Sequence, residues 1–141
     1  MISRILVFPF LFLFSCHPIL AQSRVYHPIP LSPNQTITDQ LTLEDIPTGD
    51  GGFAKDYVLQ LQKGQQIAID VISEEFDPLV ILMSEDGSTL AENDDAPDGS
   101  TNALLFTRIP HTGKYIIRVR AFGITGIGSF QLKVTLLQPV K

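Results

Sequence analysis

The densest chemistry in the sequence lies in one seven-residue segment, where Glu92, Asn93, Asp94, Asp95 and Asp98 offer four carboxylates and an amide. Asp77 joins them if the end of its strand lies beside this loop. Hard cations such as Ca²⁺ take six to eight oxygen ligands from carboxylates, carbonyls and water. Carboxylates held close together repel one another, and a bound cation relieves that repulsion. The residues therefore mark a candidate Ca²⁺ site: Asp77, Glu92, Asn93, Asp94, Asp95 and Asp98. The spacing is not that of an EF-hand, because Ala96 stands where the second carboxylate from Asp94 is required. The competing expectation is a solvated turn, with Asn93 and Asp95 bonded to the backbone around them.

Catalytic groups are harder to assemble. Nucleophilic catalysis needs a nucleophile within hydrogen-bond reach of a base, and a third group to orient that base. Beyond the N-terminal segment the histidines are His27, in a Pro-rich stretch, and His111, in the corner Pro110-His111-Thr112-Gly113. No Gly-x-Ser-x-Gly elbow is present, and two distant histidines make a poor zinc site. A hydrolase would need a cleft joining His111 to Ser or Asp residues. The expectation is a protein that is not an enzyme. Asp56 and Asp70 fall on or beside strands, where each is expected to pair with a nearby base or end a ladder. Arg118 and Arg120 share a face, and Lys133 joins them if the last two long strands pair.

The elements that must position these groups have a period of two. Tyr57, Leu59 and Leu61 alternate with Val58, Gln60 and Gln62, and Ile67, Ile69 and Val71 with Ala68, Asp70 and Ile72. Tyr115, Ile117, Val119 and Ala121 form a third such row, and Phe130, Leu132, Val134 and Leu136 a fourth. One apolar face per strand is the pattern of sheets covered on one side. Residues 79–83 are apolar on both faces and read as a central strand. In residues 103–109 either Leu105, Thr107 and Ile109 or Leu104 and Phe106 face inward. The first choice leaves Leu104 and Phe106 on the outer face, either covered by a crossover or lead-in segment or open as a contact patch. Asp86-Gly87 marks a hairpin turn, and the remaining Gly and Pro clusters punctuate the other connections. The fold class is all-β, an antiparallel β-sandwich or jelly roll of about seven to nine strands.

The N-terminus reads as a targeting segment. Arg4 is the only charge ahead of an apolar run over residues 5–14, too short for the roughly 20 residues of a spanning helix. A secretory signal over residues 1–21 follows, with cleavage after Ala21. The alternative is lipidation at Cys16, since Leu13-Phe14-Ser15-Cys16 resembles a lipobox. Residues 22–35 form a Pro-rich lead-in and residues 36–138 the sandwich. Cys16 is the single cysteine, so the exported domain is built without a disulfide. The formal charge is −5, and the scattered bases form no stripe that would suit nucleic acid. The expected setting is periplasmic or extracellular, with no transmembrane span. The expected partner is an extracellular or envelope macromolecule.

Several of these positions, in order, resemble the bacterial pre-peptidase C-terminal domain family. The matching residues are Asp56-Tyr57, Gly64-Gln65, Phe76-Asp77, Asp86-Gly87, Leu90-Ala91 and Asn93-Asp94-Asp95. They continue through Pro110, Thr112-Gly113, Tyr115 and Gly128-Ser129-Phe130. The resemblance runs over residues 35–137 and implies a β-sandwich without catalytic machinery, here read as a stand-alone secreted copy. Pro78 departs from the family, which often has Thr there. Related modules of collagen-degrading enzymes bind calcium, so the resemblance also implies Ca²⁺ at the acidic loop. The competing structural role is an envelope lipoprotein tethered through Cys16.

Overall fold

The computed structural model describes residues 26–138. The signal segment, both cleavage positions and Cys16 lie outside the described residues. The described residues form ten strands: β1 (Ile29–Pro30), β2 (Thr36–Leu41), β3 (Ile46–Pro47), β4 (Phe53–Leu61), β5 (Gln66–Ile72), β6 (Pro78–Ser84), β7 (Thr89–Asn93), β8 (Ala103–Arg108), β9 (Gly113–Ala121) and β10 (Gly128–Leu137). One sheet has the order β1-β4-β9-β6-β7, with β3 also on the edge of β4. The other has the order β2-β10-β5-β8. All pairings are antiparallel except β1 on β4. Among the described residues no helix is long and apolar enough to cross a membrane.

The count exceeds the expected seven to nine because β1 and β3 are two-residue strands, too short to show alternation. Each ends in a proline, which has no N–H to give a ladder and so suits an edge. The lead-in is thus partly docked: Leu31 is buried and its N–H donates to the Val58 carbonyl at 2.8 Å.

The inward rows are those read from the alternation. Tyr57, Leu59 and Leu61 on β4, Ile117 and Val119 on β9, and Val80 and Leu82 on β6 cover one side of the core. Ile67, Ile69 and Val71 on β5 and Phe130, Leu132 and Val134 on β10 cover the other. Phe130 sits between Tyr57 and Phe76, edge-on to both, with ring centroids 6.4 and 6.1 Å away. On β8 Ala103 and Leu105 face the core, leaving Phe106 61% exposed and Leu104 half-buried outside. β6 is paired on both edges, as expected of a central strand, with Val80 and Leu82 buried and Leu79 and Ile81 half-buried outside.

One expectation fails. β9 and β10 lie in opposite sheets, so Lys133 is not near Arg118 and Arg120. The connection between the two strands crosses from one sheet to the other, and the strands face each other over the core. Lys133 instead stands opposite Asp70 on the outer face of the second sheet. Burial raises the Asp70 carboxyl above its ordinary range, and the Lys133 ammonium partly offsets that.

Candidate functional site

The acidic loop joins the ends of β7 and β8, the adjacent edges of the two sheets. Its backbone is tied to β8: the Leu104 N–H donates to the Asp95 carbonyl at 3.0 Å. The Asn93 side-chain amide donates to that same carbonyl at 2.9 Å and to the Leu104 carbonyl at 2.8 Å. Asn93 therefore staples the loop across the two sheets, as the turn reading expects. Asp95 contributes its carbonyl there rather than its carboxylate. Asp98 accepts from the Ser100 N–H and hydroxyl at 2.9 and 2.7 Å, and those bonds hold its carboxyl below the usual range. Glu92 is exposed on β7, opposite Ile81.

Asp77 lies just ahead of β6, where its carbonyl accepts the Phe122 N–H at 2.7 Å. Burial pushes its carboxyl up, and the charges of Asp94 and Asp95 push it further. The fold thus brings Asp77, Asp94 and Asp95 into electrostatic contact. Among the described residues, however, no three His, Cys, Asp or Glu side chains come together as metal ligands.

The best-built polar cluster is on the outer face of the first sheet. Asp56 on β4, 3% exposed, stands opposite Arg118 on β9. Arg118 grips it with two bonds, Nε to Oδ1 at 2.8 Å and Nη2 to Oδ2 at 2.7 Å. The Tyr26 hydroxyl closes the cluster from the lead-in, donating to Oδ2 at 2.7 Å. Burial, then that hydrogen bond, raises Tyr26 to about 12. The bond to Asp56 likewise raises Arg118. Asp56 has the structural role expected of it. Tyr26 was not legible, because nothing in a Pro-rich stretch says which strand it will lie against. A shallow groove of about 480 Å³ opens beside the cluster, between the lead-in and β3, with Lys55 and Asp56 in its lining.

A second polar node closes the opposite edge of the sandwich. The buried Tyr57 donates its hydroxyl to Asp39 of β2 at 2.7 Å, and Lys55 reaches Asp39 at 3.1 Å and Asp45 at 3.5 Å. The two contacts to Asp39 join one sheet to the other. His111 stands exposed on the β8–β9 corner, where its carbonyl accepts the Tyr115 hydroxyl at 2.6 Å. No hydrogen bond joins the His111 ring to a Ser or Asp among the described residues.

The feature that sequence reasoning missed is the β9–β10 connection, residues 122–127. Phe122, Ile124 and Ile127 are 60%, 64% and 43% exposed. The loop is nevertheless held in place. Phe122 is bonded to Asp77, and Ile124 lies on the β3–β4 turn, its carbonyl 3.0 Å from where a Cβ of Gly52 would stand. Gly126 packs so tightly that a Cβ there would meet Ala121 Cβ at 2.5 Å and Phe76 Cβ at 3.0 Å. The signal was there to read: apolar residues continue past Ala121, but interleaved with glycines and out of strand register.

Residues 54–121 match the model of the bacterial pre-peptidase C-terminal domain. The pre-peptidase C-terminal domain of collagenase from Bacillus anthracis superposes with a TM-score of 0.60 at 19% identity, covering 79% of this chain and 98% of that one. A periplasmic inhibitor of g-type lysozyme from Aeromonas hydrophila, PliG, superposes with a TM-score of 0.53 at 14% identity, covering 77% and 96%. No curated protein matches the chain. Residues 54–121, which carry the match to the bacterial pre-peptidase C-terminal domain, lie within a β-sandwich that shares its fold with a solved domain of that family.

Proposed function

We propose that the chain is an exported binding module that docks a macromolecule outside the cytoplasm through one end of its sandwich. The observation that carries this is the loop that exposes Phe122, Ile124 and Ile127 while hydrogen-bonded to Asp77 and packed at Gly52 and Gly126. Fully burying side chains of this size is worth roughly 1.5–3 kcal/mol each, and the fold forgoes part of that here. An apolar patch supported this firmly is the usual mark of an interaction site. The A. hydrophila neighbour is an inhibitor of another protein, which supports reading the same architecture as a protein-binding one.

The test replaces Ile124 in the producing bacterium with a photo-crosslinking residue and identifies the crosslinked product by mass spectrometry. The product is then purified and titrated against residues 22–141. Phe122→Ser/Ile124→Ser is expected to weaken binding at least tenfold, with the melting temperature nearly unchanged and Phe106→Ser without effect. Equal binding by all three proteins, or no crosslinked product, overturns the reading.

Ca²⁺ stabilisation belongs to the same reading. The mutual repulsion of Asp77, Asp94 and Asp95 supports it, since a cation would draw the loop in and relieve that repulsion. Tethering through Cys16 is the structural alternative. Mass spectrometry of the mature N-terminus separates the two: a chain starting at Gln22 removes the tether, and a lipidated Cys16 establishes it.

A further inference from the structure

We infer that the partner of the 122–127 loop is a basic protein presenting an apolar surface. The inference rests on the proposed docking role and adds the chemistry of what docks. The loop leaves Phe122, Ile124 and Ile127 between 43% and 64% exposed, so its complement is apolar. What surrounds it decides the charge.

Three carboxylates flank the loop, Asp50, Glu75 and Asp77, and Asp94 and Asp95 act on Asp77 from the β7–β8 connection. Asp50 belongs to the turn on which Ile124 rests. Glu75 accepts the Ser129 N–H at 2.7 Å, just past the loop. Asp77 holds Phe122 through its carbonyl, and Asp94 and Asp95 are close enough to Asp77 to act on its charge. Arg120 is the base bound among them, and it is occupied by Asp50 at 3.7 Å. An apolar tip inside an acidic rim discriminates between occupants. An anionic bilayer repels the rim, because lipid surfaces attract basic segments and not acidic ones. A second copy docked by the same end would set rim against rim, and like charges across an interface are costly. Nucleic acid is repelled for the same reason. A basic protein gains from both parts, the rim speeding encounter and the tip providing the buried centre.

The experiment uses the protein crosslinked at position 124, purified, with three further arms. Its affinity for residues 22–141 is measured in EDTA, so that Asp77, Asp94 and Asp95 carry no Ca²⁺, at about 50 and about 300 mM NaCl, where screening shortens the reach of the rim. Asp77→Asn/Asp94→Asn/Asp95→Asn is titrated alongside Phe122→Ser/Ile124→Ser. Phosphatidylglycerol/phosphatidylcholine vesicles and sedimentation of the free chain report on lipid and self-association. The expected result is a partner with a basic isoelectric point and at least fivefold weaker binding at the higher salt. The acid-to-amide variant should bind several-fold more weakly and lose most of the salt dependence, whereas the apolar variant keeps it. An acidic partner, salt-insensitive binding, vesicle retention through Phe122 or dimers lost in Ile124→Ser would each overturn the charge inference. A loop-dependent partner with no salt dependence leaves the docking role standing and removes only this inference. No loop-dependent partner at all removes both.

Discussion

Replacing Arg118 with Met tests whether the cluster over the first sheet holds the lead-in and two strands together. The change keeps the length of the aliphatic stem and removes the two bonds that reach Asp56 at 2.8 and 2.7 Å. Asp56 is left with the Tyr26 hydroxyl in a site where its side chain has no exposure. Breaking a fully buried ion pair costs about 3–5 kcal/mol. The Arg118 side chain is 27% exposed, so water reaches the vacated space and the cost falls to roughly 2–3 kcal/mol. For a domain of this size that corresponds to a melting temperature lower by about 8–12 °C. Asp56→Leu/Arg118→Met removes the stranded charge as well and should recover to within about 1 kcal/mol of the parent protein. Urea unfolding, with midpoint and slope fitted together, measures both variants. The reasoning is refuted if Arg118→Met costs less than about 0.5 kcal/mol, or if the double variant is no more stable than Arg118→Met.

Asp39 carries the pH dependence. Burial pushes its carboxyl up, but hydrogen bonds from Tyr57, the Gln40 N–H and Lys55 together outweigh it and hold it below the ordinary value of 3.8. A carboxyl lowered on folding stabilises above its unfolded value and loses that contribution as pH falls through the folded one. Asp39→Asn should therefore lower the urea midpoint at neutral pH, and the gap to the parent should narrow at about pH 3; a constant gap contradicts this. Gly126→Ala should cost about 1–3 kcal/mol by overpacking, read by thermal melting, because its Cβ meets Ala121 and Phe76. Unchanged stability would mean that the loop is not held as described. Millimolar Ca²⁺ should raise the melting temperature and chelator lower it, since a ligand of the folded state alone stabilises that state. Asp94→Asn/Asp95→Asn should abolish the rise. Identical curves in calcium and chelator, with no calorimetric signal, count against the cation.

Alternation made the inward faces legible. Tyr57 and Ile117 point inward for the reason they could be read as doing so, since polar side chains such as Asp56, Gln60, Arg118 and Arg120 alternate with the inward rows of β4 and β9. Alternation says which face of a strand is buried but not which strand lies beside it. Hence the side of the core on which β10 would fall, and with it the partner of Lys133, was settled only by the crossing of the 122–127 loop. β1 and β3 escaped because two residues cannot show a period, and Tyr26 because the contact it makes is with a residue 30 positions away. At the acidic loop composition named the residues, and backbone geometry sorted them. Asn93 and Asp98 make turn bonds, Glu92 stays in solvent, and Asp77, Asp94 and Asp95 share a field. The docking end was visible only as a misfit, apolar side chains where the strand pattern had stopped.

Hydrogen–deuterium exchange of residues 22–141, free and with the protein crosslinked at position 124, puts the docking end to its most direct test. The account predicts slowed exchange over residues 122–127 and the neighbouring turn at residues 48–52, with β8 and the outer face around Phe106 unchanged. Protection confined to β8 and that outer face, with residues 122–127 exchanging as in the free protein, would contradict it.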